Sequence, residues 1–316
     1  MVVSQESTEV SPVHHDVPVV AMKALTRSLP KIGWYSVDNY FREGCWTFLD
    51  NVDDILGVTL CVLKPEAAPG RRYRAALQAL LDNDFRPVHV KRFRYQRLTI
   101  RETWRYQLNI APRERIETMD LLLPSADSVL LVLKDCRWRP GLLPAAVRLT
   151  ALKGPSDPRE RRSHHLRCRL GAVNTQLNFI HTSDEPIDVV RELSVLFAAE
   201  HRSVVRTHIR QGHDALADAV GAFDALESEI PAHDLDLARS WERLTESVSP
   251  AGELARLRVK GQDVPLSEVL AAARHPSADP TEHWDLLAIL THTMPSNVPG
   301  VSRIFPNNEL SRWQQP

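Results

Sequence analysis

The sequence predicts an α/β (α+β) fold in which a β-α-β-β-α-β core forms an antiparallel sheet with helices on one face. Short apolar runs of strand length alternate with segments of helical periodicity between residues 59 and 205. One of these runs, residues 128–133, is apolar almost throughout, which is typical of a strand buried on both faces. Beyond residue 208 the pattern becomes helical and acidic, which predicts a mainly helical C-terminal extension.

The first half of the core contains two predicted strands and three predicted helices. Residues 59–63 are apolar and are followed by Lys64-Pro65, which ends a strand. Residues 72–81 place their apolar side chains on one face of a helix. A strand is predicted over 85–95, because Val88, Val90 and Phe93 supply its apolar faces. Two helices, over 99–108 and 112–123, follow it.

The second half of the core begins with the buried strand at 128–133. A helix over 140–153 follows and ends at Gly154-Pro155. The long polar loop over 156–176 is rich in arginine and precedes a short strand over 177–181. Residues 183–186, Ser-Asp-Glu-Pro, predict the start of the next helix. This order of elements is that of a ferredoxin-like fold.

The chain divides into three predicted parts. Residues 1–58 are an N-terminal extension, whose first 20 or so residues lack periodicity and predict a disordered arm. Aromatic residues are dense over 31–50, which predicts a packed segment. Residues 59–205 form the α/β domain, and residues 206–316 form the acidic helical extension.

Composition excludes several classes of protein. The 316 residues include 39 Lys and Arg against 40 Asp and Glu, and this balance disfavours bulk binding of nucleic acid. The chain lacks an apolar stretch of roughly 18 residues, so we expect no membrane association. Its four cysteines are far apart and form no metal-binding pattern, which favours a reduced, cytoplasmic compartment.

The near-neutral charge is an average over two regions of opposite character. Residues 137–169 contain nine Lys and Arg but two acidic residues, whereas residues 211–290 contain fifteen acidic and six basic residues. The basic stretch indicates an anion-binding middle of the chain. The common glycine-rich phosphate-binding motifs are absent, so side chains would have to hold a phosphate.

One group of polar residues lies at the predicted junction of the last strand and its helix. Asn178, His181 and Ser183 come directly after the arginine-rich loop, and Glu192 lies eleven residues after His181. The N-terminus of a helix favours anions. A carboxylate at Glu192 is placed to bind one imidazole nitrogen, which leaves the other as a nucleophile.

These residues resemble the nucleoside diphosphate kinase family. Lys64-Pro65-Glu66 matches its K-P-[DE] motif, and residues 178–184 match N-x-x-H-G-S-D with Thr182 in place of glycine. Glu192 meets the family spacing from the histidine. Three further family positions are matched by Arg148, by the turn over 154–158 and by the stretch 166–171 that contains Arg167. The resemblance covers about residues 59–205.

The resemblance implies a ping-pong phosphotransferase with a phosphohistidine on His181, oriented by Glu192 with help from Ser183. It implies that Lys64, Arg148 and Arg167 neutralise phosphate oxygens and that Ser156 and Asn178 bind phosphate or ribose. Trp104 takes the place of a family tyrosine at the nucleotide site, and the family aromatic that stacks on the base has no match. The metal would be Mg²⁺ carried by ATP or another nucleoside triphosphate, with no protein-bound metal. Family members assemble from several subunits, so we expect a homo-oligomer.

Two alternatives remain open from the sequence. The identity of the phosphate acceptor is open, because the base-binding segment of the family is not matched. The acceptor is a nucleoside diphosphate or a related small molecule. The competing hypothesis is a non-catalytic nucleotide-binding or scaffold module, in which the acidic helical extension is the working surface. A phosphoenzyme distinguishes the two classes.

Overall fold

The computed structural model describes residues 19–275, 279–305 and 310–314. Most of the arm predicted at the N-terminus lies outside these residues. The strands are β1 Val58–Leu63, β2 Phe85–Phe93, β3 Ser128–Asp135 and β4 Ile180–Thr182. The helices up to β4 are α1 Val19–Leu25, α2 Leu29–Tyr35, α3 Asn39–Phe48, α4 Val52–Leu56, α5 Tyr73–Leu81, α6 Arg97–Thr103, α7 Arg113–Leu122, α8 Ala145–Lys153 and α9 Leu166–Arg169.

The remaining helices follow β4. They are α10 Pro186–Leu196, α11 Ala199–Gln211, α12 Leu216–Glu229, α13 Leu237–Leu244, α14 Pro250–Val259, α15 Leu266–Ala273, α16 Pro280–Thr293 and α17 Ser311–Gln314. The helical C-terminal region is therefore confirmed. No helix among the described residues is long and apolar enough to cross a membrane.

The four strands form one antiparallel sheet in the order β2-β3-β1-β4. β1 pairs with β3 from Val58 opposite Lys134 to Leu63 opposite Val129. On its other side β1 pairs with β4, with Val62 opposite His181. This topology confirms the predicted ferredoxin-like core, and it places His181 beside the end of β1 that leads into Lys64.

Both faces of the sheet are covered. On one face, Cys61 and Leu63 of β1 pack in a cluster with α5, α8, α12 and α16. On the opposite face, Leu60 and Val62 pack with α1, α3 and α10. The two crossover helices of the core, α5 and α8, share the first face, as predicted, whereas the second face is covered by α10 together with the N-terminal helices α1 and α3. The reason is that β1 is apolar on both sides, so water must be excluded from each.

Several boundaries differ from the sequence prediction. α6 begins at Arg97, two residues earlier than predicted, and α8 begins at Ala145, five residues later than predicted. β4 has three residues and is displaced toward the C-terminus, because residues 177–179 are held by local loop contacts. The arginine-rich loop contains the short helix α9. These differences shift ends of elements and leave their order unchanged.

Candidate active site

His181 projects from β4 toward the face of the sheet that carries α10. Its Nε2 lies 3.0 Å from Oε2 of Glu192, in the middle of α10, and the hydroxyl of Ser183 donates to the same oxygen at 2.9 Å. Glu192 is 7% exposed. A buried carboxylate of this kind needs donors, and these two supply them. His181 therefore carries its ring proton on Nε2, and Nδ1 forms no hydrogen bond within the described residues.

The start of α10 is fixed by its own sequence. Glu185 is the N-cap and forms a capping box with Asp188, and Pro186 occupies the first turn. Glu192 lies six positions after Pro186, which brings the carboxylate back toward β4. The spacing of eleven residues from His181 to Glu192 thus corresponds to a direct contact.

Aromatic side chains cover the other side of His181. The ring of Trp104, at the end of α6, meets the imidazole edge to face with centroids 5.3 Å apart. Tyr95 packs against Trp104 at 5.5 Å, and its hydroxyl is buried without a hydrogen-bond partner among the described residues. Burial raises the pKa of Tyr95 well above its usual value. Trp104 thus lies at the site, and a phenolic hydroxyl lies behind it.

Lys64 follows β1 directly and is buried. Its Nζ lies 2.7 Å from Oε1 of Glu66 and also donates to the backbone carbonyl of Gln176. Burial lowers the pKa of Lys64, and the neighbouring Glu66 opposes that shift. The ammonium is therefore held between the turn after β1 and the loop before β4.

Asn178 lies in that loop with one polar atom unused. Its side-chain nitrogen donates to the carbonyl of Thr175 at 2.7 Å. The amide oxygen of Asn178 is buried and has no hydrogen-bond partner in the described part of the chain. A buried acceptor without a partner is costly, which makes it a candidate contact for a bound ligand.

Two arginines of the basic loop are held by backbone oxygens. Arg167 donates to the carbonyls of Gly154 at 2.9 Å and Ile180 at 3.1 Å, and burial lowers its pKa to about 10. Arg161 donates to four carbonyls, including that of Ser156 at 2.7 Å. Within the described residues neither guanidinium forms a salt bridge with a carboxylate. Two cations without such partners make the loop around Ser156 electropositive.

The structure does not bring Arg148 to this group. Its guanidinium binds Asp135 at 2.6 Å and stacks on Phe85 at 4.0 Å. Asp135 follows Lys134, which pairs with Val58, whereas His181 pairs with Val62. Four residues of β1 separate the two positions, or roughly 13 Å. Arg148 therefore lies away from His181, and its assignment to phosphate stays a prediction.

The physical reason lies in the helix. Successive residues of a helix are about 100° apart, so Thr150 faces nearly opposite to Arg148. The hydroxyl of Thr150 lies 3.1 Å from the hydroxyl of Thr182 and 3.1 Å from the carbonyl of Ser183. Lys153, one turn further, binds Asp184 at 2.9 Å. These three contacts join α8 to the end of β4.

Sequence reasoning did not single out Thr150, Lys153 or Tyr95, and it treated Glu66 as a motif residue without a role. The sequence did indicate a role for Glu66, because this residue completes the K-P-[DE] motif. The sequence gives no such indication for the other three residues, since an isolated threonine, lysine or tyrosine is usually structural. Among the described residues, no group of three or more His, Cys, Asp or Glu side chains is placed to hold a metal ion.

The fold and site define an α/β protein with a ferredoxin-like sheet and a histidine held by a buried glutamate at the end of its last strand. Residues 57–202 match the family model of nucleoside diphosphate kinase. The chain thus contains a domain of the nucleoside diphosphate kinase family, with further regions on both sides.

Solved structures of this family are similar to the chain. The nucleoside diphosphate kinase of Aquifex aeolicus is 21% identical, with a TM-score of 0.38, and the match covers 45% of this chain and 96% of that one. The enzyme of Encephalitozoon cuniculi is 17% identical, with a TM-score of 0.39 and coverage of 46% and 90%. An NDP kinase from Pyrobaculum aerophilum is 20% identical, with a TM-score of 0.36 and coverage of 46% and 97%. No curated protein sequence matches the chain significantly.

Proposed function

We propose that the protein is a histidine-dependent phosphotransferase that moves the γ-phosphate of a nucleoside triphosphate through His181 to a nucleoside diphosphate or a related small acceptor. The observation that carries this proposal is the contact between His181 and Glu192. A neutral imidazole whose Nε2–H is bound to a buried carboxylate has its lone pair on Nδ1.

The reaction has two steps. First, Nδ1 of His181 forms a bond to the γ-phosphorus, the bond from that phosphorus to the bridging oxygen breaks, and the nucleoside diphosphate leaves with the electron pair. The imidazole then carries a positive charge, which Glu192 stabilises. Second, an oxygen of the acceptor attacks the phosphorus, and the electrons of the phosphorus–nitrogen bond return to the ring.

Phosphate charge requires cations near His181. Lys64 and Arg167 lie next to the loop that precedes β4, and Arg167 binds the carbonyl of Ile180, the residue before His181. The proposal assigns phosphate oxygens to these two cations and to Ser156. It assigns a polar group of the nucleotide to Asn178, whose buried amide oxygen needs a donor. Mg²⁺ enters as part of the magnesium–nucleotide substrate.

The test is labelling of the whole protein with γ-labelled ATP and Mg²⁺. The wild type should acquire label that is stable to alkali and labile to acid. His181→Ala should acquire none, and His164→Ala, which alters an exposed loop histidine, should label normally. A wild-type protein that stays unlabelled while its histidine site is intact contradicts the proposal.

A second candidate function is a non-catalytic nucleotide-binding module. Two observations favour it. Arg148 lies away from His181, and a C-terminal segment at Ser296 contacts both α7 and the loop before β4. Arg115 of α7 donates to the carbonyl of Ser296 at 2.8 Å, and the hydroxyl of Ser296 lies 3.4 Å from that of Thr175. This candidate predicts nucleotide binding by calorimetry without a phosphoenzyme.

A further inference from the structure

Glu66 is a carboxylate in the interior of the protein. It lies in the turn after β1 and is 0% exposed. Burial of a charged carboxylate is costly unless it is paired and hydrogen-bonded. The partners of Glu66 therefore indicate what its charge does.

Two donors from different segments meet at one oxygen of this side chain. Oε1 of Glu66 lies 2.7 Å from Nζ of Lys64 and accepts the backbone N–H of Phe179 at 3.1 Å. Its other oxygen, Oε2, is buried and has no hydrogen-bond partner in the described residues. Glu66 thus ties the lysine that follows β1 to the backbone that precedes β4.

The backbone conformation at Phe179 depends on this hydrogen bond to Glu66. Phe179 has a φ of 64°, in the left-handed region that side chains other than glycine rarely adopt. Such a conformation is costly and persists only where surrounding contacts fix it. Here the contacts are the bond to Glu66 and the bond from the backbone N–H of Lys64 to the carbonyl of Phe179, at 2.9 Å. Asn178 precedes this residue, and His181 follows it by two.

The charge of Glu66 also acts on Lys64. Lys64 is buried near Arg161 and Arg167, and burial together with these cations lowers its pKa. Glu66 is its salt-bridge partner within the described residues. Without the carboxylate, the ammonium would keep only the carbonyl of Gln176 as a partner among the described residues, and it would lose the attraction that keeps it protonated.

We infer that Glu66 is a positioning residue, which orients Lys64 and fixes the backbone at Phe179 so that Asn178 and His181 take their places around a phosphate. This inference rests on the proposed phosphotransfer at His181. Glu66 touches no reacting atom in this assignment; it acts through its two partners.

The experiment compares Glu66→Gln with the wild type and with Glu160→Gln, which removes an exposed carboxylate of the basic loop. In Glu66→Gln, phosphorylation of His181 should slow at least tenfold at pH 8, and the loss of rate at alkaline pH should begin at a lower pH than in the wild type. Glu66→Asp should recover part of the rate, and Glu160→Gln should behave as the wild type. An unchanged rate and pH profile in folded Glu66→Gln overturns the inference.

A double variant keeps the test decisive where Glu66→Gln alone fails to fold. Lys64→Met with Glu66→Gln removes both charges of the pair, and proteins tolerate such a replacement better than the loss of one partner. The glutamine oxygen can still accept the N–H of Phe179, so if the charge of Glu66 acts through Lys64, the double variant should match Lys64→Met in rate within threefold. A further tenfold loss in the double variant overturns that route.

A second readout is independent of activity. The pKa of Lys64, followed by NMR in labelled protein, should be lower in Glu66→Gln than in the wild type, and an unchanged pKa contradicts the inference. If the wild type forms no phosphoenzyme but the Lys64 pKa responds as expected, the proposed function fails while the positioning role of Glu66 stands.

Discussion

Arg148 donates from Nε to Oδ2 of Asp135 at 2.6 Å, at the end of the sheet away from His181. Asp135 is almost fully buried, so loss of the guanidinium would leave its carboxylate without its main partner. Arg148 therefore joins α8 to the end of β3. Its matching position in the family pattern does not correspond to a place beside the histidine.

We expect Arg148→Ala to lower the free energy of unfolding by about 3 kcal/mol, because it removes the salt-bridge partner of a buried carboxylate. Phosphorylation of His181 should stay within threefold of wild type in the folded variant. Urea unfolding and the rate of labelling measure the two effects, with the exposed Arg139→Ala as the control. A loss of labelling above tenfold in folded protein would return Arg148 to the site.

The ring nitrogen that becomes phosphorylated is a second prediction. Nε2 of His181 is engaged by Glu192, so the phosphoryl group should be attached to Nδ1. ³¹P NMR of the phosphoenzyme against standards of both phosphohistidine isomers identifies the nitrogen. Glu192→Gln should slow phosphorylation by about 10² to 10³, because a neutral amide stabilises the charged ring less well. Attachment at Nε2 in the wild type would contradict the orientation of the ring.

Much of the fold followed from local patterns in the sequence. The strand at β3 and the helices α5 and α10 were predicted within a few residues, because continuous apolar runs and helical periodicity identify them directly. The cover on the second face of the sheet was not predicted. It comes from α1 and α3 near the N-terminus and from α10 after β4, and a local pattern shows that a face is apolar without showing which helix covers it.

The site was predictable where sequence spacing translates into distance. The separation of His181, Ser183 and Glu192 spans one strand end and two helical turns, so it predicted a contact that the structure contains. For Arg148, the match to the family pattern did not correspond to a position beside His181. Thr150, two residues further along α8, contacts the end of β4, and two residues of a helix correspond to a rotation of about 200°. Glu66 shows the opposite case, since its role depends on Phe179, which is 113 residues away in the sequence.

A cluster of histidines between β2 and α11 gives a pH prediction. The two ring nitrogens of His89 lie 3.1 Å from Nδ1 of His208 and 2.9 Å from Nε2 of His201. Burial, followed by repulsion from His201, His208, Lys91 and His213, lowers the pKa of His89 to about 4. The unfolded chain therefore binds a proton below pH 6.5 that the folded protein does not bind.

Stability should consequently fall as the pH drops from 6.5 toward 4, by about 1–2 kcal/mol at pH 5 from this residue. His89→Gln keeps a donor and an acceptor but does not titrate, so its stability should decline less over the same range. Urea unfolding at pH 7.5, 6 and 5 measures the slopes, with His164→Ala as the control. Equal slopes for His89→Gln and wild type would show that His89 does not carry the effect.

The N-terminal helices hold α10, the helix that carries Glu192, through a buried cluster of charges. Nζ of Lys31 lies 2.6 Å from Asp188 and 2.9 Å from Glu185, and the hydroxyl of Tyr35 donates to Asp188 at 2.8 Å. Burial raises the pKa of Asp188 to about 6, even though Lys31 opposes the shift. One ammonium thus balances two buried carboxylates at the first turn of α10.

Lys31→Met should therefore lower the free energy of unfolding at pH 7 by about 3–5 kcal/mol. The pKa of Asp188 should rise further in this variant, so its folded state binds a proton that the unfolded chain releases. Part of the lost stability should return as the pH falls from 7 to 5, whereas Lys23→Met, at an exposed lysine of α1, should show neither change. Thermal unfolding across this pH range measures both, and a Lys31→Met variant whose deficit stays constant would show that Asp188 is not coupled to Lys31.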